Sequence, residues 1–462
     1  VGESLYTHSK NIAVNVIENP DVKIIVNNNL QSEVITKHGY DLDISSQIGF
    51  IAKKASMDKS LDIKKRSEIV YALKEFQTKK EVYPYDRYIK EASNNVGVIL
   101  NRTDSIKSNK KHYVWNLNHY LGLNRNPEVI KFSQECIRRY GTGAGTSMVA
   151  GGMNEIHRKI EQFFSKYWGK EESIIFPTGY TANLGAISAL VGSDDLVLID
   201  KECHASIIDG VKLSKAQLLP FRHNDPEDLE KKLKKYSGSY NTVLVVIESV
   251  YSMSGEEAPV EVIAKLKSKY NFLLYVDEAH SFGFYGAQGR GLCYDRGCID
   301  DVDVMMTTLS KSTGAAGGII SCSKELATYI QVKSSPYLFQ ACLSPGDAGA
   351  VYKALEIITR DSTYQDILWR NTNHFRGKLL EKGFDCRNST SPIVPIYMSD
   401  PNKLSLMCKD IYENGIFTNW VAYPVVGLNE GRLRFIVTAN HTKEDINNTV
   451  DILYNSYKKI SE

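Results

Sequence analysis

The chain has 462 residues, 42% of them hydrophobic and 24% charged, with a net charge of +2. That is ordinary globular composition, long enough for two or three domains, and a charge so near zero gives no bulk pull toward nucleic acid or an anionic membrane. No apolar run reaches the roughly 18 residues of a membrane span.

No signal peptide is visible at the start, although Val1 need not be the native first residue. The eight cysteines are scattered without a CxxC pair. Cys293 and Cys298 stand nearest each other and lack the second pair that a zinc site needs. They read as reduced thiols of a cytoplasmic protein. Residues 1–80 are polar and form an N-terminal extension without visible chemistry. Within it, 61–79 has the spacing of an amphipathic helix, with Ile63, Ile69, Leu73 and Phe76 near one face. A helix packed on the main body, a lid, a dimerisation arm and a partner-docking module all fit. Residues 81–110 are polar and expected to be partly helical. A strand and turn follow over 112–123, then a helix over 127–140. The glycine-rich loop at 141–152 lets backbone amides approach a ligand closely. It lacks the strand–helix pattern and ribose-binding acid of a dinucleotide site. A helix over 155–168 comes next.

From Ser173 short apolar runs alternate with helical periods. Strands are expected at 173–176, 196–199, 216–220, 242–247, 272–276, 304–308 and 318–322. Unbroken apolar strands with intervening helices indicate an α/β fold with a mostly parallel sheet covered on both faces. Ligands in such sheets sit at the carboxyl ends of the strands. Beyond Gly346 a long helical segment leads to a smaller C-terminal α/β region, with strands at 393–397, 416–418 and 432–437 and helices at 401–414 and 443–457. The expected division is therefore 1–80, 81–140, 141–345 and 346–462.

The motifs fall at the strand ends. Thr178-Gly179-Tyr180 turns the chain from a strand into a helix, whose first amides lack intrahelical partners and can receive phosphate; an ordinary strand-to-helix turn reads the same way. His204 follows a strand end, where its ring can stack on an aromatic cofactor or serve as a cap. In Asp277-Glu-Ala-His280 an acid leaves a buried strand, and a carboxylate there is costly unless paired. A pyridinium N–H would be such a partner, with His280 near the ring oxygen; a metal pair is the rival, without a third or fourth ligand close in sequence. Ser252 adds a hydroxyl at the same edge. Lys311 ends an apolar strand in a glycine-rich turn, where desolvation favours the neutral, nucleophilic amine. Arg434 can clamp a carboxylate in bidentate fashion or be an ordinary surface residue. Each piece is weak alone. Together they make the part list of a pyridoxal phosphate enzyme.

The ordered set carries a resemblance. Asn118-His-Tyr-Leu-Gly122, His204-Ala-Ser206, Ser252-Met-Ser-Gly255, Asp277-Glu-Ala-His280, Gly286-Ala-Gln-Gly-Arg-Gly291, Thr308-Leu-Ser-Lys311 and Leu433-Arg-Phe435 resemble the α-oxoamine synthases, fold-type I pyridoxal phosphate enzymes, from about Tyr83 to Tyr457. The resemblance implies that 141–345 is the large cofactor-binding domain and 346–462 the smaller one. It implies a decarboxylative condensation of glycine, serine or alanine with an acyl thioester of coenzyme A or an acyl carrier protein. Lys311 would form the Schiff base and move the α-proton, Asp277 pair with the pyridine nitrogen, and His280 and Ser252 approach the phenolate. His204 would stack on the ring, while Thr178, Gly179, Tyr180 and Thr308 hold the phosphate. Arg434 with Asn118 would hold the substrate carboxylate, and Ser147 would help position substrate. His157 matches a family histidine without an assigned role. Three features depart from the family pattern: Met148 replaces a common arginine, Gln340 stands where a hydroxyl usually reaches the phosphate of the neighbouring subunit and would bind it by its amide instead, and residues 1–80 have no counterpart in the compact members. A homodimer with shared active sites is implied, with neither nucleic acid nor a membrane span. An aminotransferase or lyase of the same fold is the main alternative; a non-catalytic partner subunit would be expected to lack Lys311.

Overall fold

The largest sheet forms where the chain reads as unbroken apolar runs. Its strands are β1 (Glu172–Phe176), β2 (Leu196–Asp200), β3 (Gln217–Phe221), β4 (Val243–Glu248), β5 (Leu273–Asp277), β6 (Val304–Thr308) and β7 (Gly318–Cys322). The computed structural model describes residues 57, 59–79, 86–91, 93–101, 109–236, 238–422, 426–427 and 429–461, and the backbone of three short strands at Asn11–Val14, Val22–Asn27 and Ser32–Thr36.

The spatial order is β1-β7-β6-β5-β4-β2-β3. β7 runs antiparallel to both neighbours, and every other pairing is parallel. Six strands therefore deliver their carboxyl ends to one edge. Leu244 and Val246 face one core layer with Tyr275, Met306 and Ile320, whereas Val245 and Ile247 face the other with Val276, Met305 and Ile319. Both sets of alternating side chains are buried because helices cover both faces. β3 differs: it is a partly exposed edge strand carrying Pro220, whose missing N–H costs least at an edge. Helices Pro127–Tyr140 and Pro345–Arg360 pack closely because Gly349 leaves room for Cys136. A Cβ at Gly349 would sit 2.7 Å from the Cys136 Sγ.

A second sheet, antiparallel, orders Ile393–Tyr397, Arg432–Ile436 and Asn419–Val421. Helix Pro401–Glu413 packs on it, and helix Lys443–Ser461 packs in turn on that helix. A third sheet corrects two expectations. Among the described residues of 81–110 only Asp86 is helical, in a 3-10 turn; the segment instead supplies the antiparallel strands Arg87–Ile89 and Val96–Asn101, which join Lys111–Val114. Ile416–Phe417 does not enter the C-terminal sheet; it pairs in parallel with Lys111–Val114. Trp115 seals this junction, stacked on His441 at 3.8 Å and on Phe375 at 4.5 Å.

Helix Ile63–Lys79 forms as its spacing suggests. Ile69 is buried, but Ile63 is 74% exposed and leaves the expected apolar face. The side chains of Leu73 and Phe76 lie outside the described residues. All eight cysteines are buried and unpaired. Among the described residues no helix is long and apolar enough to cross a membrane.

Candidate active site

A cavity of about 350 Å³ opens at the carboxyl edge of the large sheet. Lys311 enters it from the turn after β6. Gly314 closes that turn at φ +70, where an added Cβ would lie 2.7 Å from the Asn124 Cβ. The Lys311 Nζ lies 2.7 Å from His280 Nε2. Burial first, with a smaller push from the Arg434 charge, lowers the Lys311 amine to about 8 against the pull of the Asp277 and Glu248 carboxylates.

Asp277 ends β5 and is 4% exposed. Its Oδ2 accepts from Asn183 Nδ2 at 2.8 Å and its Oδ1 from the Ala279 N–H at 2.9 Å. Such donors repay the cost of a buried charge. Asn183, on helix Gly179–Leu190, joins several groups. Its Oδ1 accepts from Tyr275 Oη at 2.7 Å, and its Nδ2 also donates to Ser206 Oγ at 3.0 Å. Ser206 Oγ lies 2.7 Å from His204 Nδ1. His204 caps helix Ala205–Ser214, as one of the two sequence readings has it, and also lines the cavity. Burial lowers its pKa and favours the neutral ring.

Glu248 ends β4 in register with Asp277. It accepts the His204 N–H at 2.5 Å. Burial first, and the Asp277 charge second, push its carboxyl up to about 8.

The Thr178 turn closes the far wall. Thr178 Oγ1 accepts from the Thr181 N–H at 3.1 Å, starting the helix at Gly179. A Cβ on Gly179 would stand 2.6 Å from the Thr308 Cβ, so glycine is what lets this helix start meet the end of β6. Thr308 Oγ1 lies 2.9 Å from Ser310 Oγ. Tyr180 also lines the cavity, with its hydroxyl bonded to Asp209.

Arg434 stands beside this group. Its Nε donates to the Ser252 carbonyl at 2.6 Å and its guanidinium to Asn118 Oδ1 at 3.3 Å. Its charge acts on both His280 and Lys311. Arg432 bonds elsewhere, to Tyr397 Oη at 2.7 Å and to the Met253 carbonyl at 3.3 Å.

Residues 110–453 match the family model described as aminotransferase class I and II. The chain is 35% identical to a serine palmitoyltransferase of Sphingobacterium spiritivorum over 357 residues, 77% of this chain and 89% of that protein. It is 38% identical to an 8-amino-7-oxononanoate synthase of Treponema denticola over 335 residues, 72% of this chain and 85% of that protein. The solved Sphingomonas wittichii serine palmitoyltransferase superposes with a TM-score of 0.81 at 28% identity, covering 87% of this chain and 99% of that one. The chain belongs to the α-oxoamine synthase family. A structure of SPT holding PLP superposes equally well, at a TM-score of 0.81 and 28% identity, over 87% of this chain and all of that one.

The cavity of this α-oxoamine synthase fits pyridoxal phosphate. Asp277 offers a carboxylate already steadied by two donors, the helix start at Gly179 leaves no room for a Cβ, and the Lys311 amine is depressed toward neutrality. Among the described residues no cluster of His, Cys, Asp and Glu could hold a metal ion.

Of the expected site residues, Asn118, Ser147, Ser252, Gln340 and Arg434 do not line the cavity. Ser147 bridges to Ala341, and the Cys342 N–H donates to the Thr146 carbonyl at 2.9 Å, so the glycine loop and the 340–345 stretch form one wall. Met148 is buried in the core beside that wall. His157 has a structural place: Nδ1 accepts from the Asn154 N–H at 3.1 Å while Nε2 meets the Leu343 carbonyl at 2.8 Å. Sequence reasoning passed over Tyr120, Asn183, Ser206 and Glu248. Tyr120 and Ser206 lie inside quoted motifs, Asn183 stands three residues beyond Tyr180, and Glu248 ends the apolar run 243–247, which was the available signal.

Proposed function

We propose that this synthase condenses a small amino acid (glycine, serine or alanine) with an acyl thioester, releasing CO2 and the thiol and leaving an α-aminoketone. The observation that carries this reading is the depressed Lys311 amine, set 2.7 Å from His280 in a cavity that Asp277 and His204 also line, within reach of the Arg434 charge. Pyridoxal phosphate is the cofactor; when bound it supplies an aldehyde for imine linkage and a ring that takes up the electron pair freed at the α-carbon.

The chain's own residues do the rest. Asp277 would pair with the ring nitrogen and keep a proton there. His204 would stack on the ring. Amides at Gly179 and Tyr180, with the Thr178 turn and the Thr308 hydroxyl, hold phosphate at the positive end of a helix. His280 and Ser252 serve the phenolate side. Lys311 takes the α-proton and returns one, with small Ser310 and Gly314 beside it to let the chain swing. Arg434, braced by the Ser252 carbonyl and Asn118, takes the substrate carboxylate and so selects which bond stands ready to break.

The proposal extends to assembly. Phe339 is 82% exposed and Val332 66%, next to the wall that contains Ser147 and Gln340. We assign this apolar surface to a second copy of the chain, which would bring Ser147 and Gln340 to the partner's cavity. Residues 346–462 would form the smaller domain and 1–80 an N-terminal extension. The buried free thiols support a cytoplasmic setting.

Single amino acids tested with acyl thioesters of graded length, on coenzyme A and on a carrier protein, should yield CO2 and aminoketone for a restricted set. Amino transfer to a keto acid without any need for thioester would replace this reading with an aminotransferase.

A further inference from the structure

Tyr120 has no part in the account above, yet its Oη lies 2.6 Å from His280 Nδ1, while Nε2 of the same ring lies 2.7 Å from the Lys311 Nζ. Tyr120 and His280 are both buried. The three form a chain of phenol, imidazole and amine, and its polarity is a choice between two tautomers of a neutral ring. With the proton on Nδ1, Tyr120 would accept and Nε2 would offer a lone pair, which suits an ammonium group. With the proton on Nε2, Tyr120 donates and Lys311 must accept, which only an uncharged amine can do.

The surroundings select the second arrangement. Among the described residues Tyr120 Oη bonds only His280, so accepting from Nδ1 would leave the phenol proton unpaired in the core, at a cost of about 1–3 kcal/mol. A charged imidazole is disfavoured by burial first and by the Arg434 charge beside it. The groups facing the amine are Asp277 and Glu248, which hold its proton, and Arg434, which opposes it. Against two acids, a donor aimed at the nitrogen lone pair tips the balance toward the nucleophile.

We propose that Tyr120 is a positioning residue: it donates to His280 Nδ1, fixes the Nε2–H tautomer, and so holds Lys311 as a hydrogen-bond acceptor. The inference rests on the proposed function only in taking Lys311 as the reactive amine. Tyr120 stands two residues from Asn118, the partner of Arg434. One turn therefore sets both the amine and the carboxylate clamp.

The test is the pH profile of Lys311 reductive methylation by formaldehyde and cyanoborohydride in the cofactor-free full chain, read by mass spectrometry. Tyr120→Phe keeps the ring packed on Phe284 (4.7 Å between centroids) and removes only the hydroxyl. It should move the midpoint up by about one pH unit, a roughly tenfold loss of labelling near pH 7. In a His280→Asn background the same change should add nothing. The visible absorbance of the cofactor-loaded chain should titrate with a shifted midpoint as well. An unmoved midpoint in Tyr120→Phe, or an equal shift without His280, overturns the inference. Labelling needs no thioester, so a chain that shifts as expected but makes no aminoketone refutes the proposed reaction alone.

Discussion

Two acids side by side at the ends of β4 and β5 meet one depressed amine, and their environments separate their tasks. Asp277 is satisfied by two donors, whereas Glu248 is pushed up to about 8 by burial and by its neighbour. For Glu248 the folded pKa lies above the unfolded 4.5, so the folded chain holds a proton that the unfolded chain has lost. Its contribution is fully present below 4.5 and fades as pH rises through about 8. Glu248→Gln should therefore gain thermal stability over the parent progressively from acid toward pH 8, measured by melting of the cofactor-free chain; a constant difference across that range would contradict the assignment. Lys311→Ala should remove the lysine-dependent visible absorbance and cut turnover by about 10²-fold or more in steady-state assays. Asn183→Leu strips one donor from a buried carboxylate, a loss of about 1.5–3 kcal/mol. It should weaken cofactor binding by roughly tenfold or more, seen by equilibrium titration. These residues were hard to read in sequence for one reason. Lys311, Asp277 and His280 are chemically conspicuous where they stand, but Asn183 and Tyr120 matter only through partners 94 and 160 positions away.

At the scale of elements, the approach of the helix start at Gly179 to the end of β6 is the tightest constraint on the site. Gly179→Ala would force a Cβ to 2.6 Å from the Thr308 Cβ. Overpacking of this kind costs about 1–3 kcal/mol. The expected result is a folded chain with at least tenfold weaker cofactor binding, checked by titration alongside circular dichroism. The strands of the large sheet were legible because β4 and β6 are buried at every position, which leaves the apolar runs Val243–Ile247 and Val304–Met306 ahead of their polar ends. Arg87–Ile89 was not, since it is three residues long and partly exposed, nor was Val96–Asn101, whose run is broken by Gly97 and only half-buried over 96–98. Ile416–Phe417 was found as a strand but given the wrong neighbours. Its two residues say nothing of a partner some 300 positions earlier, at Tyr113 and Val114.

At the scale of the molecule, the exposed Phe339 and Val332 mark the face assigned to a second copy. Phe339→Glu should convert dimer to monomer by analytical ultracentrifugation and lower turnover together with it; a dimer that persists would place the interface elsewhere. The junction at Trp115 reaches further. The Trp115 carbonyl accepts from the Ile436 N–H and the Tyr120 carbonyl from the Ala439 N–H, each at 2.7 Å. The turn that bears Asn118 and Tyr120 thus takes its final shape only against residues near the far end of the chain. A nascent polypeptide can assemble the large sheet while its last segments are still inside the ribosome, but the amine-tuning turn must wait for release. Fragments that end before residue 430 would lack Arg434 and both of these partners of the turn.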